Sequence, residues 1–439
     1  MPHENSVKES GQGQGLAGLG ALLLKCTKCG ECRSVCPVFN ELGEEKYVAR
    51  GKLALVDALG AGELPPTDAL REALEQCLLC LSCEARCGSG VPVSRIITEA
   101  RAELARDLGR PLPKRMLYRL LASGRGMVNL AFRTGSLLQP FLFRRIPGTS
   151  GLKRRFPLPL VDRDLHVPRL ALRPFRSREE RFFPAPDSRD TVVFFTGCLT
   201  NFIHTQTAGS VVKVLNSLGI SVIVPGDQAC CGAPAHAGGD FGAAGNLARM
   251  NLKALNRGRA EGKKVVVPCA SGGYMLKSVY SLLMQDDPVY GEMAADTAQR
   301  TFDISEYLVN HVGLGNISPH VKSHLSGPVT CHDPCHLNRG QGIREEPRAL
   351  LKIVCDEFAE MEDPGTCCGS GGIYGITHRD TSKRILEKKI RSILDSGAGI
   401  VSTGCPGCII QITGGLLQRG SMVEATHTIQ LLARAMGLV

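Results

Sequence analysis

Residues 26–37 read CTKCGECRSVCP, and residues 77–88 read CLLCLSCEARCG. Each stretch places four cysteines at the spacing C-x2-C-x2-C-x3-C, and Pro37 follows the last cysteine of the first stretch. This spacing is typical of cubane [4Fe–4S] clusters, where the fourth cysteine of each run ligates the other cluster. A zinc site or disulfides are the alternatives, but zinc sites usually pair two C-x2-C groups and stop at four ligands. The two runs therefore predict a module that carries electrons.

On this pattern the two runs exchange their fourth ligands. Gly88 stands where Pro37 follows the first run, and this change leaves the number of thiols intact. One cubane cluster is expected on Cys26, Cys29, Cys32 and Cys87, and the other on Cys36, Cys77, Cys80 and Cys83.

The segment between the two runs is 40 residues long, which is too long for a hairpin. Residues 46–59 and 67–76 place apolar side chains at three- and four-residue intervals, which predicts helices. Thr67 or Asp68 is in position to cap the second of them. We therefore expect an all-helical module with two [4Fe–4S] clusters over residues 21–105, after a flexible, polar and glycine-rich arm over residues 1–20.

Composition narrows the class of protein. The 439 residues leave room for two or three domains, and the nineteen cysteines fall in groups. The N-terminus lacks the layout of a secretory signal, which predicts reduced, metal-bound cysteines in the cytoplasm. No apolar run reaches about 18 residues, so no transmembrane span is expected. The absence of Trp argues against nucleic-acid binding by base stacking, despite a net charge of +10.

Positive charge is concentrated between residues 101 and 181, where nineteen Lys or Arg face six Asp or Glu. Prolines interrupt this part of the chain, and apolar stretches at 116–121, 127–132 and 137–143 predict short amphipathic helices. We predict a basic, proline-rich connecting segment over residues 106–189. It is either a solvated linker or a docking face for an acidic partner or for the anionic inner surface of a membrane.

After residue 190 short apolar strands alternate with helices, and each cysteine group follows a strand, where open α/β sheets place their ligands. The groups recur at intervals of 137, 137 and 136 residues: Cys198, Cys230-Cys231-Gly232 and Cys269, then Cys335, Cys367-Cys368-Gly369 and Cys405. A constant interval is the sign of a duplicated unit. We predict two α/β domains, over residues 190–325 and 326–439.

The two copies differ in their supply of thiols. The second copy offers Cys335, Cys367, Cys368, Cys405 and Cys408. Five thiolates suit an iron–sulfur site better than a zinc tetrahedron, which leaves one sulfur unused. The first copy offers Cys198, Cys230, Cys231 and Cys269, with Gly272 at the fifth position. It is expected to hold either an altered cluster or none.

Four other residues accompany the second copy. Cys331 and Cys355 have no counterpart in the repeat and are expected as buried small side chains or as thiols that line the site. His332 and His336 flank Cys335 and are candidates for catalytic proton donors. The alternative role for both histidines is a hydrogen bond to a cluster sulfur or to the backbone.

The repeated CCG pattern resembles the cysteine-rich CCG domains of heterodisulfide reductase catalytic subunits, which carry noncubane [4Fe–4S] clusters. Its fusion to the N-terminal runs resembles the iron–sulfur subunit of glycolate oxidase and of related D-lactate dehydrogenases. The phrases LKCTKCG at 24–30 and CHDPCH at 331–336 support the likeness, which covers roughly residues 20–435. It implies one noncubane cluster in the second CCG domain.

The resemblance also implies a function. No GxGxxG fingerprint or P-loop is present, so FAD is expected on a partner dehydrogenase subunit that oxidises glycolate or D-lactate. This chain would be the oxidoreductase subunit that relays electrons to a quinone or another carrier. One alternative is thiol–disulfide reduction at a noncubane cluster. The other is the iron–sulfur subunit of an anaerobic glycerol-3-phosphate dehydrogenase.

Overall fold

The computed structural model describes residues 15–145, 151–156, 166–176 and 180–439. The described part of the N-terminal module contains helices and no strands, as predicted. Short 3-10 turns form at Leu16–Leu19 and Glu45–Tyr47. The helices are α1 (Gly20–Leu23), α2 (Cys32–Val35), α3 (Phe39–Leu42), α4 (Ala49–Gly60), α5 (Asp68–Glu75), α6 (Ser82–Arg86) and α7 (Val93–Asp107).

The two longer helices that the sequence predicts between the cysteine runs are α4 and α5. Thr67 caps α5, because its side-chain oxygen accepts a hydrogen bond from the Leu70 amide. Both helices pack with α7 around an apolar core that includes the fully buried Val56 and Ile96. Residues 1–14 of the predicted arm lie outside the described residues, and Leu19 is already part of this core.

The connecting segment is more regular than predicted. It contains α8 (Leu112–Ala122), α9 (Arg125–Leu142), and a small sheet of β1 (Phe143–Arg145), β2 (Gly151–Arg154) and β3 (Val167–Pro168). The apolar stretches at 127–132 and 137–143 were predicted as separate helices, and this is wrong, because α9 runs through both and reaches Pro140 only in its last turn. Prolines 147, 157 and 159 lie outside the described residues.

The first α/β domain follows the connecting segment. It has short 3-10 or π-helical turns at Gly258–Ala260, Met275–Val279, Leu308–Val312 and Ser318–His320. Its other elements are β4 (Arg181–Phe183), β5 (Asp190–Phe194), α10 (Gly197–Phe202), α11 (Thr205–Ser217), β6 (Ile220–Val224), α12 (Ala233–Ala237), α13 (Phe241–Leu255), β7 (Val265–Val267), α14 (Ala270–Tyr274), α15 (Tyr280–Met284), α16 (Tyr290–Gln299), β8 (Thr301–Asp303), α17 (Ile304–Tyr307) and α18 (Leu314–Ile317).

The second α/β domain ends the chain. It consists of β9 (Leu325–Cys331), α19 (Cys335–Gln341), α20 (Glu345–Lys352), β10 (Cys355–Phe358), α21 (Tyr374–Thr377), α22 (Arg379–Asp395), β11 (Ile400–Ser402), α23 (Pro406–Gln418), β12 (Glu424–Thr426) and α24 (Thr428–Ala435). Cys331 and Cys355 are buried in its strands.

The two sheets share one topology, which supports the predicted duplication. The first has the strand order β4-β6-β5-β7-β8 and the second β10-β9-β11-β12, so β6, β5, β7 and β8 correspond to β10, β9, β11 and β12. All of these strands are parallel, and only β4 is antiparallel. In each domain the cysteine groups follow three neighbouring strands, so the carboxyl ends of these strands bring the thiols together. No helix among the described residues is both long and apolar enough to cross a membrane.

Candidate metal centre

Both N-terminal cysteine runs turn in the same way around their middle cysteine. Lys28 and Gly30 flank Cys29 with φ values of 58° and 91°, and Leu79 and Leu81 flank Cys80 with φ values of 53° and 62°. Residues other than glycine rarely adopt this left-handed conformation, and it persists only where the surroundings enforce it. The repeated strain indicates that each loop is built to curl its thiols around a common point.

Cys36 lies with the cysteines of the second run. One cavity is lined by its thiol together with Cys77, Cys80 and Cys83. Burial raises the pKa of the Cys83 thiol, and the neighbouring Cys77, Cys80 and Cys36 thiols raise it further. This is the ligand set that the crossed pattern predicts.

The remaining thiols of the module are closer to its surface. Cys29 is exposed, and burial followed by the nearby Cys26 thiol raises the pKa of Cys32. Helix α6 packs against α2, and Arg86 at the end of α6 donates a hydrogen bond to Glu31 at 3.1 Å. Cys87 is the next residue, so this contact brings it to the first cysteine run. This set therefore lies nearer to solvent than the set that contains Cys36.

Two cations, the buried Lys52 and the partly buried Arg101, lie beside the thiol set of Cys36, Cys77, Cys80 and Cys83. Lys52 is only 2% exposed, and its ammonium donates to the Tyr47 carbonyl. The Arg101 guanidinium donates to the carbonyls of Leu74, Glu75 and Cys77, and to Ala237 in the first α/β domain. Buried cations next to thiols favour the thiolate form, which binds metal. Neither residue was predicted from the sequence; a lysine within the apolar stripe of α4 was the available signal.

In the second α/β domain the five predicted thiols form one chain of contacts. The Cys335 thiol donates to Cys367, and the Cys368 and Cys408 sulfurs lie 3.4 Å apart. The Cys269 thiol, and to a smaller extent the Cys408 thiol, donates a hydrogen bond to Cys405 and holds the pKa of Cys405 well below its usual range. Four of these five cysteines are more than nine-tenths buried. The donor set is sulfur-rich and shielded from water, which fits an iron–sulfur group.

His332 lies inside this thiol group. A ring nitrogen of His332 and the sulfurs of Cys368 and Cys408 all lie within 4.8 Å of one another. The side chain is 1% exposed, and the Pro364 carbonyl is the backbone acceptor within reach of its ring. Burial lowers the pKa of His332 to about 3, so the ring is neutral at physiological pH. A neutral imidazole at this place is suited to ligate iron or to donate to a sulfur.

His336 has a different environment. Its Nε2 donates to the Leu79 carbonyl at 3.1 Å, and the Ser271 hydroxyl donates to its Nδ1 at 3.3 Å. The ring also stacks on Tyr274, with 4.7 Å between the ring centres. Both nitrogens are therefore engaged, which favours a positioning role over proton transfer. His336 joins the N-terminal module to both α/β domains.

The first α/β domain brings its four thiols together but has no fifth. Cys198 and Cys230 lie 3.8 Å apart, and Cys231 lies within electrostatic reach of Cys269. A Cβ atom built on Gly272 would lie 3.7 Å from the Cys269 sulfur. The glycine therefore faces the thiols, at the position where the second domain has Cys408.

The thiol groups of the three domains adjoin one another. The Cys80 thiol lies beside that of Cys367, and burial together with this neighbour raises the pKa of Cys80 to about 12. Arg339 of the second α/β domain also donates a hydrogen bond to the Cys80 carbonyl at 3.2 Å. At the other end of the second domain's site, the Cys269 thiol donates to Cys405. The second α/β domain thus lies between the N-terminal thiols and those of the first α/β domain.

Exchange of the fourth ligands predicts a specific result for Cys36→Ser. The variant should lose the cluster bound mainly by Cys77, Cys80 and Cys83, because its cavity then has only three thiols. Electron paramagnetic resonance of the reduced variant, with iron analysis, measures this loss. Loss of the signal from the Cys26, Cys29 and Cys32 site instead would show that each run binds its own cluster.

Comparison with known proteins agrees with this architecture. The family model of the 4Fe-4S dicluster domain matches residues 22–91, and that of the Cysteine-rich domain matches residues 192–277 and 329–413. The probable glycolate oxidase iron-sulfur subunit of Bacillus subtilis is 31% identical over 428 residues, which is 94% of either chain. The glycolate oxidase iron-sulfur subunit of Escherichia coli is 27% identical over 401 residues, which cover 88% of this chain and 89% of the relative.

A shorter relative matches part of the chain. Lactate utilization protein A of Bacillus subtilis is 28% identical over 242 residues, which cover 55% of this chain and 98% of the relative. The match to the Bacillus glycolate oxidase subunit, in contrast, spans nearly the whole of both chains and includes the dicluster module and both cysteine-rich domains. On this identity and coverage, the chain belongs to the family of glycolate oxidase iron–sulfur subunits, which are oxidoreductase components.

Proposed function

We propose that this chain is the electron relay of a flavin-dependent 2-hydroxy-acid dehydrogenase in the cytoplasm. A partner subunit that holds FAD would oxidise glycolate or D-lactate, and this chain would carry the electrons to a quinone or another carrier. The names of the relatives include both glycolate oxidase and lactate utilization. The observation that carries the proposal is the continuity of the thiol groups from the N-terminal module to the α/β domains.

The metal sites that we propose follow the placement of the thiols. Two cubane [4Fe–4S] clusters would occupy the crossed sets of the N-terminal module. A noncubane [4Fe–4S] cluster would occupy the five-thiol set of the second α/β domain, which is the second CCG domain. Such clusters, when bound, accept and release single electrons. The four thiols of the first CCG domain remain a candidate for an altered cluster.

Residues of the protein hold the thiol set of Cys80 close to that of Cys367 and shield both from water. His336 and Arg339 hold α19 against the loop of Cys80. The Tyr374 hydroxyl of the second α/β domain also donates a hydrogen bond to Gln76 of the N-terminal module at 2.8 Å. Leu78 and Val38 pack with Cys367 in one apolar cluster between the two sites. Because the sites share this wall, an electron can pass between them without a mobile carrier.

The burial of the thiols weighs against disulfide reduction as the main function. Cys367, Cys368 and Cys408 are 5%, 2% and 7% exposed. A disulfide substrate needs direct access to the metal or to a thiol, whereas electron transfer needs only proximity. The iron–sulfur subunit of a glycerol-3-phosphate dehydrogenase would relay electrons in the same way. Only the substrate of the partner subunit distinguishes that function from the proposed one.

The proposal predicts how the purified chain behaves. Alone, it should contain iron but no flavin and should not oxidise glycolate, D-lactate or glycerol 3-phosphate. Together with its flavoprotein partner, its iron–sulfur absorbance should bleach when the correct substrate is added under anaerobic conditions. Flavin bound in equal amount to the chain alone would contradict the assignment of FAD to a partner, and bleaching by glycerol 3-phosphate alone would favour the alternative.

A further inference from the structure

Helix α9 of the connecting segment packs on the protein through one of its sides. Phe132 stacks on Phe202 of the first α/β domain, with 4.0 Å between the ring centres. Gln139 donates a hydrogen bond to the Pro168 carbonyl at 2.9 Å and accepts one from the Leu170 amide at 2.9 Å. These contacts fix which side of α9 faces the protein and which side faces outward.

The outward side of α9 is apolar. Residues that are four, seven, eight and eleven positions apart lie on one face of a helix. The exposed apolar residues of α9 follow this spacing, and each is 55–73% exposed: Met127, Leu130, Leu137, Leu138 and Phe141. These five residues form the outer stripe of α9. A helix on the surface of a globular protein usually turns its apolar side inward, so the orientation of α9 is the reverse of the usual one.

The chain around the outer stripe is basic and contains no acidic residue. Between Asp107 and Asp162 the sequence has two lysines and nine arginines, and neither Asp nor Glu. Arg133 lies in α9 itself, and Arg115 and Arg119 lie in α8, which packs against α9; all three are exposed. A long stretch with charges of one sign is typical of a surface that binds a partner of the opposite charge.

Basic and apolar side chains also meet at the end of α9. The Arg155 amide donates to the Leu142 carbonyl at 2.9 Å, and the Arg155 side chain donates to the Phe143 carbonyl at 3.1 Å. Arg155 therefore lies beside the last turn of α9, which carries Phe141. Phe156, the next residue, is 60% exposed. Cations that flank an exposed apolar stripe are typical of helices that lie in the interface of a membrane.

We propose that the outer stripe of α9 docks this protein on an anionic phospholipid bilayer. The apolar side chains would enter the boundary of the acyl chains, and the arginines around them would pair with lipid phosphates. A bilayer offers both partners at once, because its anionic head groups cover hydrocarbon. An acidic protein would need an apolar groove about 21 Å long as well, since the stripe extends from Met127 to Phe141.

This inference selects one of the roles that the sequence predicts for the connecting segment, the docking face for a membrane. It goes beyond the proposed relay and does not depend on which substrate the partner subunit oxidises. Attachment to a bilayer would hold the relay next to lipid-soluble electron carriers.

Because the chain contains no Trp, a single introduced Trp can report insertion directly. Phe141→Trp places this reporter in the outer stripe, and Leu394→Trp places a control on the exposed surface of α22, beside Asp395. Each full-length holoprotein is mixed with vesicles of phosphatidylglycerol and phosphatidylethanolamine, or of phosphatidylcholine alone. With the anionic vesicles we expect a blue shift of the Phe141 reporter and quenching by brominated acyl chains. The Leu394 control should show neither effect.

The apolar stripe is tested by a variant in which Leu130, Leu137 and Phe141 are all replaced by Gln. Its binding to the anionic vesicles, measured by co-sedimentation, should be at least about tenfold weaker, because the groups that would enter the bilayer are lost. The matched control replaces by Gln three exposed apolar residues outside the connecting segment: Val289, Ile376 and Leu394. The control should bind as the native protein does. Iron content and electron paramagnetic resonance signals should be unchanged in both variants.

The charges are tested in the same assay. Replacing Arg115, Arg119 and Arg133 by Gln should weaken binding, and added salt should weaken binding of the native protein, because it screens exposed charges. Equal binding of the stripe and control variants, equal binding to the two kinds of vesicle, or a Phe141 reporter that keeps the emission of a Trp in water would overturn the proposal. A blue shift that requires the flavoprotein partner and not lipid would also overturn it. Hydroxy acid plays no part in these measurements, so failure of the dehydrogenase assignment is detected separately.

Discussion

Cys368→Ala is expected to remove an entire metal cluster from the second CCG domain. Its sulfur lies 3.4 Å from that of Cys408 and next to His332, at the centre of the five-thiol set. Loss of a central thiolate removes a ligand that no other cysteine replaces, so about four iron atoms should be lost. Electron delivery from the flavoprotein to the acceptor should fall at least about tenfold. Iron analysis and anaerobic turnover with glycolate measure the two effects.

The first CCG domain offers the matched control. Cys231→Ala changes the corresponding position, but Gly272 leaves this site without a fifth thiol, so a smaller loss of iron is expected. Gly272→Cys should raise the iron content, because the new side chain would start 3.7 Å from the Cys269 sulfur and press only slightly on Val267. Equal iron loss in the Cys231 and Cys368 variants would mean that both domains bind complete clusters.

Arg348→Met is expected to destabilise the second CCG domain by about 3–5 kcal/mol. The guanidinium binds both carboxylate oxygens of Asp333, at 2.8 and 3.0 Å, and the two side chains are only 4% and 3% exposed. Removing the cation leaves the buried Asp333 carboxylate, in the loop between His332 and Cys335, with only the half-exposed Arg344 guanidinium at 3.6 Å as a charged partner. Thermal unfolding should show the first transition lowered by about 10 °C or more.

Two further variants show whether the buried charge is the cause. Adding Asp333→Asn to Arg348→Met removes the buried carboxylate that has lost its main partner, and should restore much of the lost stability. Arg419→Ala breaks a pair with Glu387 in which both side chains are about half exposed, at 49% and 51%, and should cost less than about 1 kcal/mol. If the double variant is no more stable than Arg348→Met, lost packing of the arginine explains the effect instead.

The duplicated architecture was predictable because it depends on spacing. The interval of 137 residues relates Cys198 to Cys335, and the structure gives both domains the same strand order. The crossed placement of Cys36 was predictable for a similar reason, since the octet pattern is local and its geometry recurs. Helix α5 and its Thr67 cap were also readable from a short stretch of chain.

The juxtapositions between domains were not predictable. Cys80 lies beside Cys367, and Cys269 beside Cys405, because loops far apart in the sequence come together in the fold. Arg101 shows the same limit, since its role depends on carbonyls of the N-terminal module and of Ala237. A single sequence carries no signal for contacts of this kind. The continuous α9 was missed because apolar periodicity does not show whether neighbouring segments form one helix.

The magnetic coupling between the iron–sulfur centres tests the central claim most directly. If the thiol groups adjoin as described, the fully reduced protein should show split or broadened electron paramagnetic resonance signals, because unpaired electrons on neighbouring centres interact. In Cys368→Ala the second CCG domain loses its centre, and the signal of the Cys36, Cys77, Cys80 and Cys83 cluster should become narrower. Signals in the native protein that equal the sum of independent centres, unchanged by Cys368→Ala, would contradict a continuous relay.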